Sequence, residues 1–182
     1  MNERQPDDSV ELMQEANRLR FENPGEAQRL YREAVEHFRQ HGSRRKLIQA
    51  LKGLGQIARD LRTNDLALRL YDEAVSLCRA EGDELLLAHT VRHLGDIHSD
   101  MRRNDLAQPC YEEALAIYRA HAGASILDLA NAVRPYALLK DNAGSIDEAK
   151  RLWAEARDLY AAANVIDGVN ECSRRLTRLE NP

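Results

Sequence analysis

The sequence predicts an all-α protein built as a stack of repeated helix pairs, and three observations carry that prediction. Residues 64–79 (NDLALRLYDEAVSLCR) return forty residues later as 104–119 (NDLAQPCYEEALAIYR). Weaker copies stand at 25–39 (GEAQRLYREAVEHFR) and 146–161 (IDEAKRLWAEARDLYA). Between the copies, apolar residues recur at helical spacing and short turns separate the runs. A unit that recurs at this period marks a stacked repeat, in which no unit buries its apolar face alone.

Taken in order, residues 1–7 are polar and read as a disordered N-terminus. Asp8 followed by Glu11 is a capping-box pattern and sets a helix start there, with Val10, Met13, Ala16 and Leu19 or Arg20 as an imperfect stripe. Asn23-Pro24-Gly25 breaks that helix. A second runs over 26–40, with Ala27, Leu30, Tyr31, Ala34, Val35 and Phe38 on one face. Gly42 is placed to end it in the left-handed conformation. The first unit thus covers about 8–46.

The second unit covers about 47–86. Leu47, Leu51, Leu54, Ala58 and Leu61 form the stripe of its first helix, and a turn at Thr63-Asn64 leads into the next. So short a turn forces the two helices antiparallel. Gly82 closes the unit, forty residues after Gly42. The third unit, 87–128, repeats the plan with Leu87, Val91, Leu94, Ile97 and Met101, a turn at Arg103-Asn104, and a helix to about Arg119. The fourth, 129–167, is displaced by 42 residues because Ala122-Gly123-Ala124-Ser125 is a longer connection. Its helices carry Leu129, Val133, Tyr136 and Leu139, then Ala149, Leu152, Trp153, Ala156, Leu159 and Tyr160. Pro135 removes a backbone donor inside the first of these and should bend it. After Asp167-Gly168 a ninth helix, 168–180, shows a narrow apolar stripe of Val169, Cys172, Leu176 and Leu179. Apolar on one side and charged on the other, it has the form of a terminal cap. Residues 8–182 read as a single domain of four units and this capping helix.

Composition narrows the function. The 182 residues carry a formal net charge of -4, and the 31% that are charged mix both signs along the chain. No sequence-wide basic field exists to hold a polyanion, which argues against nucleic acid as partner. No apolar run approaches the roughly 20 residues that span a bilayer, and the N-terminus lacks a signal-type apolar region. Cys78, Cys110 and Cys172 are scattered and form no CxxC pair, as expected of thiols in a reducing cytoplasm.

Aligning the copies superposes Ala27, Ala67, Ala107 and Ala149; then Tyr31, Tyr71, Tyr111 and Trp153; then Ala34, Ala74, Ala114 and Ala156. Leu54-Gly55 and Leu94-Gly95 lie twelve residues before the first alanine, and Tyr136-Ala137 takes their place in unit four. Small residues at a helix crossing let two backbones approach, and the aromatic fills the groove beside them. The pattern resembles the tetratricopeptide repeat family in its long, kinesin-light-chain-like form. It departs in lacking the proline that ends many second helices, Arg39, Arg79, Arg119 and Ala161 standing there instead. The first unit has Gln14-Glu15 in place of the Leu-Gly pair. The resemblance implies a right-handed superhelical solenoid whose first helices line a concave groove that binds peptides.

By that alignment the groove receives Gln49, Lys52, Gln56 and Arg59 from unit two, His89, Arg92, His93, Asp96 and Asp100 from unit three, and Asn131, Arg134, Leu138 and Asn142 from unit four. Lys52, Arg92 and Arg134 share one repeat position, a column of cations able to grip a carboxylate or acidic segment. The plainer alternative is a solvated polar face laced with intrahelical ion pairs. His89, His93, Asp96 and Asp100 share one helical stripe, a combination able to bind a divalent metal. One straight helix rarely presents four ligands around a point, and no HExxH or Cys/His cluster accompanies them. His37 and His41 sit where a helix C-terminus favours positive charge. Gly53-Leu54-Gly55 follows no strand and is not a phosphate loop, and no nucleophile has its base at catalytic spacing.

The sequence therefore predicts a cytoplasmic, non-enzymatic adaptor that needs no cofactor. It binds a protein or peptide through Lys52, Gln56, Arg59, His89, Arg92, His93, Asp96, Asn131 and Arg134. The alternatives are a self-associating structural module, with a homodimer as its product, and a metal-dependent activity at the His/Asp stripe.

Overall fold

The computed structural model describes residues 6–181, with side chains from residue 9 onward. All regular elements among the described residues are helices: α1 (Pro6–Leu19), α2 (Pro24–His41), α3 (Arg44–Asp60), α4 (Asn64–Glu81), α5 (Glu84–Asp100), α6 (Asn104–Ala120), α7 (Ile126–Asn142), α8 (Ile146–Ala162) and α9 (Ile166–Glu180). They fall into two compact units, Met1–Thr90 and Val91–Pro182, divided within α5. In the first, α1 packs on α2, α2 on α3 and α3 on α4; in the second, α6 packs on α7, α7 on α8 and α8 on α9. Packing between chain neighbours in succession is what a repeat stack requires. None of these helices is long and apolar enough to cross a membrane.

Helix starts differ from the sequence reading in instructive ways. α1 begins at Pro6, two residues ahead of the expected start, since proline is pre-set for a helix's first turn. The capping box expected at Asp8 involves a side chain outside the described residues. Pro24 was expected to break the chain but opens α2, while Asn23 caps it by accepting the Glu26 N–H at 3.2 Å. α3 and α5 likewise start three residues earlier than their apolar stripes suggest. Neither Pro135 in α7 nor Pro109 in α6, which the sequence reading passed over, ends its helix.

The repeated small and aromatic residues form the core. Ala27, Tyr31 and Ala34 in α2, and their counterparts in α4, α6 and α8, are all buried. The glycines explain how closely the helices meet. A Cβ placed on Gly55 of α3 would lie 2.7 Å from the Tyr71 ring of α4, and one on Gly95 of α5 would lie 2.9 Å from the Tyr111 ring of α6. Gly53 faces Tyr31 of α2 still more closely. Gly168, expected as the break before the ninth helix, instead lies inside α9, where a Cβ would meet the Tyr160 ring of α8 at 2.5 Å. Gly42 is also a close-contact residue. Its φ of -105° is extended rather than left-handed, and a Cβ there would strike Phe38 at 2.6 Å.

Left-handed backbone appears elsewhere. α3, α5, α7 and α8 all end in the same motif, with Arg62, Arg102, Gly144 and Asn164 at φ between 57° and 75°. In each, the next amide bonds five residues back, as Thr63 N–H does to the Ala58 carbonyl at 2.9 Å and Val165 N–H to Tyr160 at 2.9 Å. Leu61, assigned to the apolar stripe, precedes one of these turns and is exposed.

Two substitutions test this account. Gly55→Ala should destabilise the protein by about 1–3 kcal/mol in urea denaturation, because the Tyr71 ring is buried and has nowhere to retreat. Arg102→Gly should stabilise it by about 0.5–1 kcal/mol, because glycine adopts the left-handed conformation without the Cβ clash that arginine carries.

Candidate functional site

In the first unit, the expected groove residues lie on α3 and the start of α5. Gln49 is exposed, and Lys52, Gln56, Arg59 and His89 are half-buried. Gln56 donates from Nε2 to Asp60 Oδ1 at 3.1 Å, and the same carboxylate takes a forked pair from Arg20 at 2.6 and 3.1 Å. Asp60 thus ties the end of α1 to the end of α3. Lys52 lies within electrostatic reach of Cys78 on α4. Burial pushes that thiol up, and a contact with the Thr90 hydroxyl and the Lys52 charge partly oppose the shift.

In the second unit, Asp96 was expected as a partner contact and turns inward instead. It is 8% exposed. The Tyr111 hydroxyl donates to its Oδ1 at 3.0 Å, and Arg92 Nη1 and His93 Nδ1 both approach Oδ2 at 3.3 Å. Arg92 Nη2 lies 2.7 Å from His93 Nε2, and an arginine can only donate. That makes Nε2 the acceptor of the arginine N–H. A similar bond joins the first pair, where Tyr31 donates to Asn17 at 2.8 Å. In unit four Trp153 replaces tyrosine, and Leu138 stands at the position that Asp96 holds in unit three. The indole keeps a donor there, but leucine offers it no acceptor, and Trp153 Nε1 is buried without a hydrogen bond.

Asn131 and Arg134 on α7 are half-buried. Asn131 accepts from the Tyr160 hydroxyl at 2.9 Å. Arg134 makes a forked pair with Glu171 of α9, Nε and Nη2 each 2.8 Å from a carboxylate oxygen. That hydrogen-bonded carboxylate holds the guanidinium above its usual value against the opposing effect of burial. Arg134 and Arg92 converge electrostatically on Tyr160, each opposing the rise that burial imposes on the phenol. Beside them burial, reinforced by Asp128, pushes Tyr118 up to about 12. Asp100 and Asn142 are exposed.

The metal reading finds no support in this geometry. Among the described residues no group of three or more His, Cys, Asp or Glu side chains could hold an ion. The thiols are structural in character: Cys78 and Cys172 are buried, and burial pushes Cys172 up to about 11. Sequence reasoning missed a polar network around buried Lys140 on α7. Its ammonium lies 3.1 Å from Gln108 Oε1 and 3.1 Å from Glu148 Oε2, with the Tyr136 ring 5.1 Å away. Tyr136 in turn donates to Glu112 at 2.8 Å. Lys140 sits on the apolar side of its helix, and sequence spacing gives no signal for a cation there.

The tetratricopeptide repeat family model matches residues 46–120. Over these residues the chain carries tetratricopeptide repeats. The match covers α3 to α6, where the Leu-Gly and Ala-Tyr-Ala signatures are most regular. Among solved structures the chain is similar to aspartyl phosphate phosphatase F from Bacillus subtilis, with a TM-score of 0.85 at 16% identity over 93% of this chain and 44% of that one. It is similar to a Rap protein complexed with competence and sporulation factor, with a TM-score of 0.83 at 13% identity over 96% of this chain and 52% of that one. A third similarity is to kinesin light chain TPR-like repeats from Podosopora anserina, with a TM-score of 0.73 at 13% identity, 96% of this chain and 94% of that one being covered. Identities this low show the fold alone. The chain spans about half the length of the phosphatase and of the Rap protein. No curated protein matches the chain by sequence.

The Asp96 cluster yields a clear expectation. Asp96→Ala strands a nearly buried guanidinium and a buried phenol, and should cost about 3 kcal/mol in urea denaturation. Tyr111→Phe removes one neutral donor and should cost about 1 kcal/mol.

Proposed function

We propose that the protein is a non-catalytic scaffold that binds an acidic segment of a protein partner along the polar face of its first helices. The observation that carries this reading is the guanidinium fork of Arg134 on α7, whose side chain is 39% exposed and which grips a carboxylate through two bonds of 2.8 Å. Arg92 and Arg134 have different duties. Arg92 is committed to Asp96, whereas Arg134 presents its fork at half exposure and is the anchor for a carboxylate. Lys52, at the same repeat position of α3, supplies the corresponding charge in the first unit, with Gln56 and Arg59 beside it. His89, His93 and Asn131 supply further polar contacts.

Repeat architecture supports the reading, since stacked helix pairs present an extended surface rather than an enclosed pocket. The Rap protein, similar in fold, was crystallised with competence and sporulation factor. Binding to an array of acidic peptides, followed by fluorescence anisotropy on those that bind, tests the proposal. Lys52→Glu and Arg134→Glu should each weaken binding tenfold or more, the loss of about 1.5–3 kcal/mol for a hydrogen bond to a charged group. Unchanged binding by both variants would overturn the assignment.

Self-association is a second reading, favoured by Ile126, Leu127, Ile146 and Ile166, which are exposed on the second unit. Light scattering that finds only monomer at high concentration removes it.

A further inference from the structure

Arg134 already holds a carboxylate, and that carboxylate belongs to the last helix of the chain. Glu171 fills its fork with two bonds of 2.8 Å, the arrangement a partner's acidic side chain would adopt. Seven residues further along both helices the polarity reverses. Asp141 of α7, its side chain 6% exposed, takes Arg178 of α9 at 2.5 Å and Arg175 at 3.6 Å. The two pairings are each 37 residues apart in sequence, so α9 is pinned to α7 at two points about 10 Å apart along the helix.

These contacts are electrostatic. The apolar seam of α9 faces α8 and is thin: only Cys172 and Leu179 are buried in α9, against five or more residues in α7 and in α8. An open surface recess of about 220 Å³ lies at the α8–α9 turn, lined by Ala161, Asn164, Val165, Ile166 and Val169. An element that buries few residues opens at low free energy.

We propose that α9 is a tethered acidic occupant of the partner-binding face, which an acidic partner must displace from Arg134. The proposal rests on the acidic-segment reading above. Intramolecular competition lowers apparent affinity in proportion to the fraction of molecules in which α9 is lifted. The arrangement also supplies its own reporter. Trp153, the single tryptophan, is fully buried on α8 with the Arg175 guanidinium 5.6 Å from its ring centroid. Lifting α9 removes that cover.

The experiment titrates the full chain at low salt with a fluorescein-labelled hexaglutamate peptide, reading peptide anisotropy and Trp153 emission. Glu171→Gln keeps the shape of the side chain and weakens the latch. Glu180→Gln makes the same charge change at an exposed position on the same helix and serves as control. A melting curve by circular dichroism establishes that each variant is folded. The expected result is a red shift of Trp153 emission on binding, affinity raised about tenfold in Glu171→Gln and not in Glu180→Gln, and loss of that gain when Arg134→Ala is added. Equal affinity of Glu171→Gln and the parent chain, or unshifted Trp153 emission at saturation, would overturn the latch and leave the binding face standing. Absence of binding by every form, Glu171→Gln included, would overturn both.

Discussion

The contact on which this molecule depends is the approach of a first-helix backbone to a second-helix tyrosine ring. At Gly55 and Tyr71, at Gly95 and Tyr111, and at Gly168 and Tyr160, the ring occupies the space a Cβ would need. Each crossing brings two helices together with almost no side chain between them on one side. The alanines flanking the aromatic position, all buried, let the remainder of the interface close to the same distance. A tight crossing fixes where both helices point. The turn that joins them must then be short, and in four places it is the same left-handed cap. At Arg62, Arg102 and Asn164 a residue other than glycine accepts that conformation, which shows how strongly the crossing dictates the backbone around it.

Once the helices are held this closely, polar groups near the crossing have little access to water and must find one another. Tyr111 reaches back to Asp96, Tyr31 to Asn17 and Tyr160 to Asn131. Asp96 recruits Arg92 and His93 in turn, so a residue whose spacing assigns it to an open face becomes part of the packing. Farther out the balance changes. Arg39 with Glu73 and Arg119 with Glu155 join second helices of neighbouring pairs, with side chains a third or more exposed. Such pairs contribute from nothing to about 1 kcal/mol each. They set register more than stability, and the crossings hold the helix pairs together.

The fold was legible in the sequence because the crossing contact leaves a mark on every copy. Ala-x3-aromatic-x2-Ala needs no partner sequence to be recognised, and it placed the buried face of α2 residue for residue. Boundaries were less legible. Proline and glycine read as breaks at Pro24 and Gly168, where one opens a helix and the other receives a ring, because local propensity carries no information about a neighbouring helix. The left-handed caps were hidden for a related reason: Gly144 signals the turn in unit four, whereas Arg62 and Arg102 give no sign of it. At the candidate site the repeat position of Lys52, Arg92 and Arg134 was visible, but which carboxylate each cation meets was not. Asp96 lies one helical turn from Arg92, Glu171 lies 37 residues from Arg134, and only the packing of α9 reveals the second.

That last contact is a direct consequence of the stack's own geometry. The α8–α9 turn at Asn164 repeats the cap found between the helices of a pair, and Gly168 on Tyr160 repeats the ring-to-backbone crossing. α9 is therefore docked by a left-handed turn and a ring-to-backbone crossing like those at α3 and α5. What differs is its outward side, where Asn170, Arg174, Thr177 and Arg178 are exposed. A helix docked by those rules places its charged residues against the first helix of the preceding pair, and here they are Glu171 opposite Arg134 and Arg178 opposite Asp141. A glutamate at the first position satisfies a cation that the repeat places on the first-helix face. Capping the end of the stack and pairing Arg134 are then one structural act, and any change that weakens the first loosens the second.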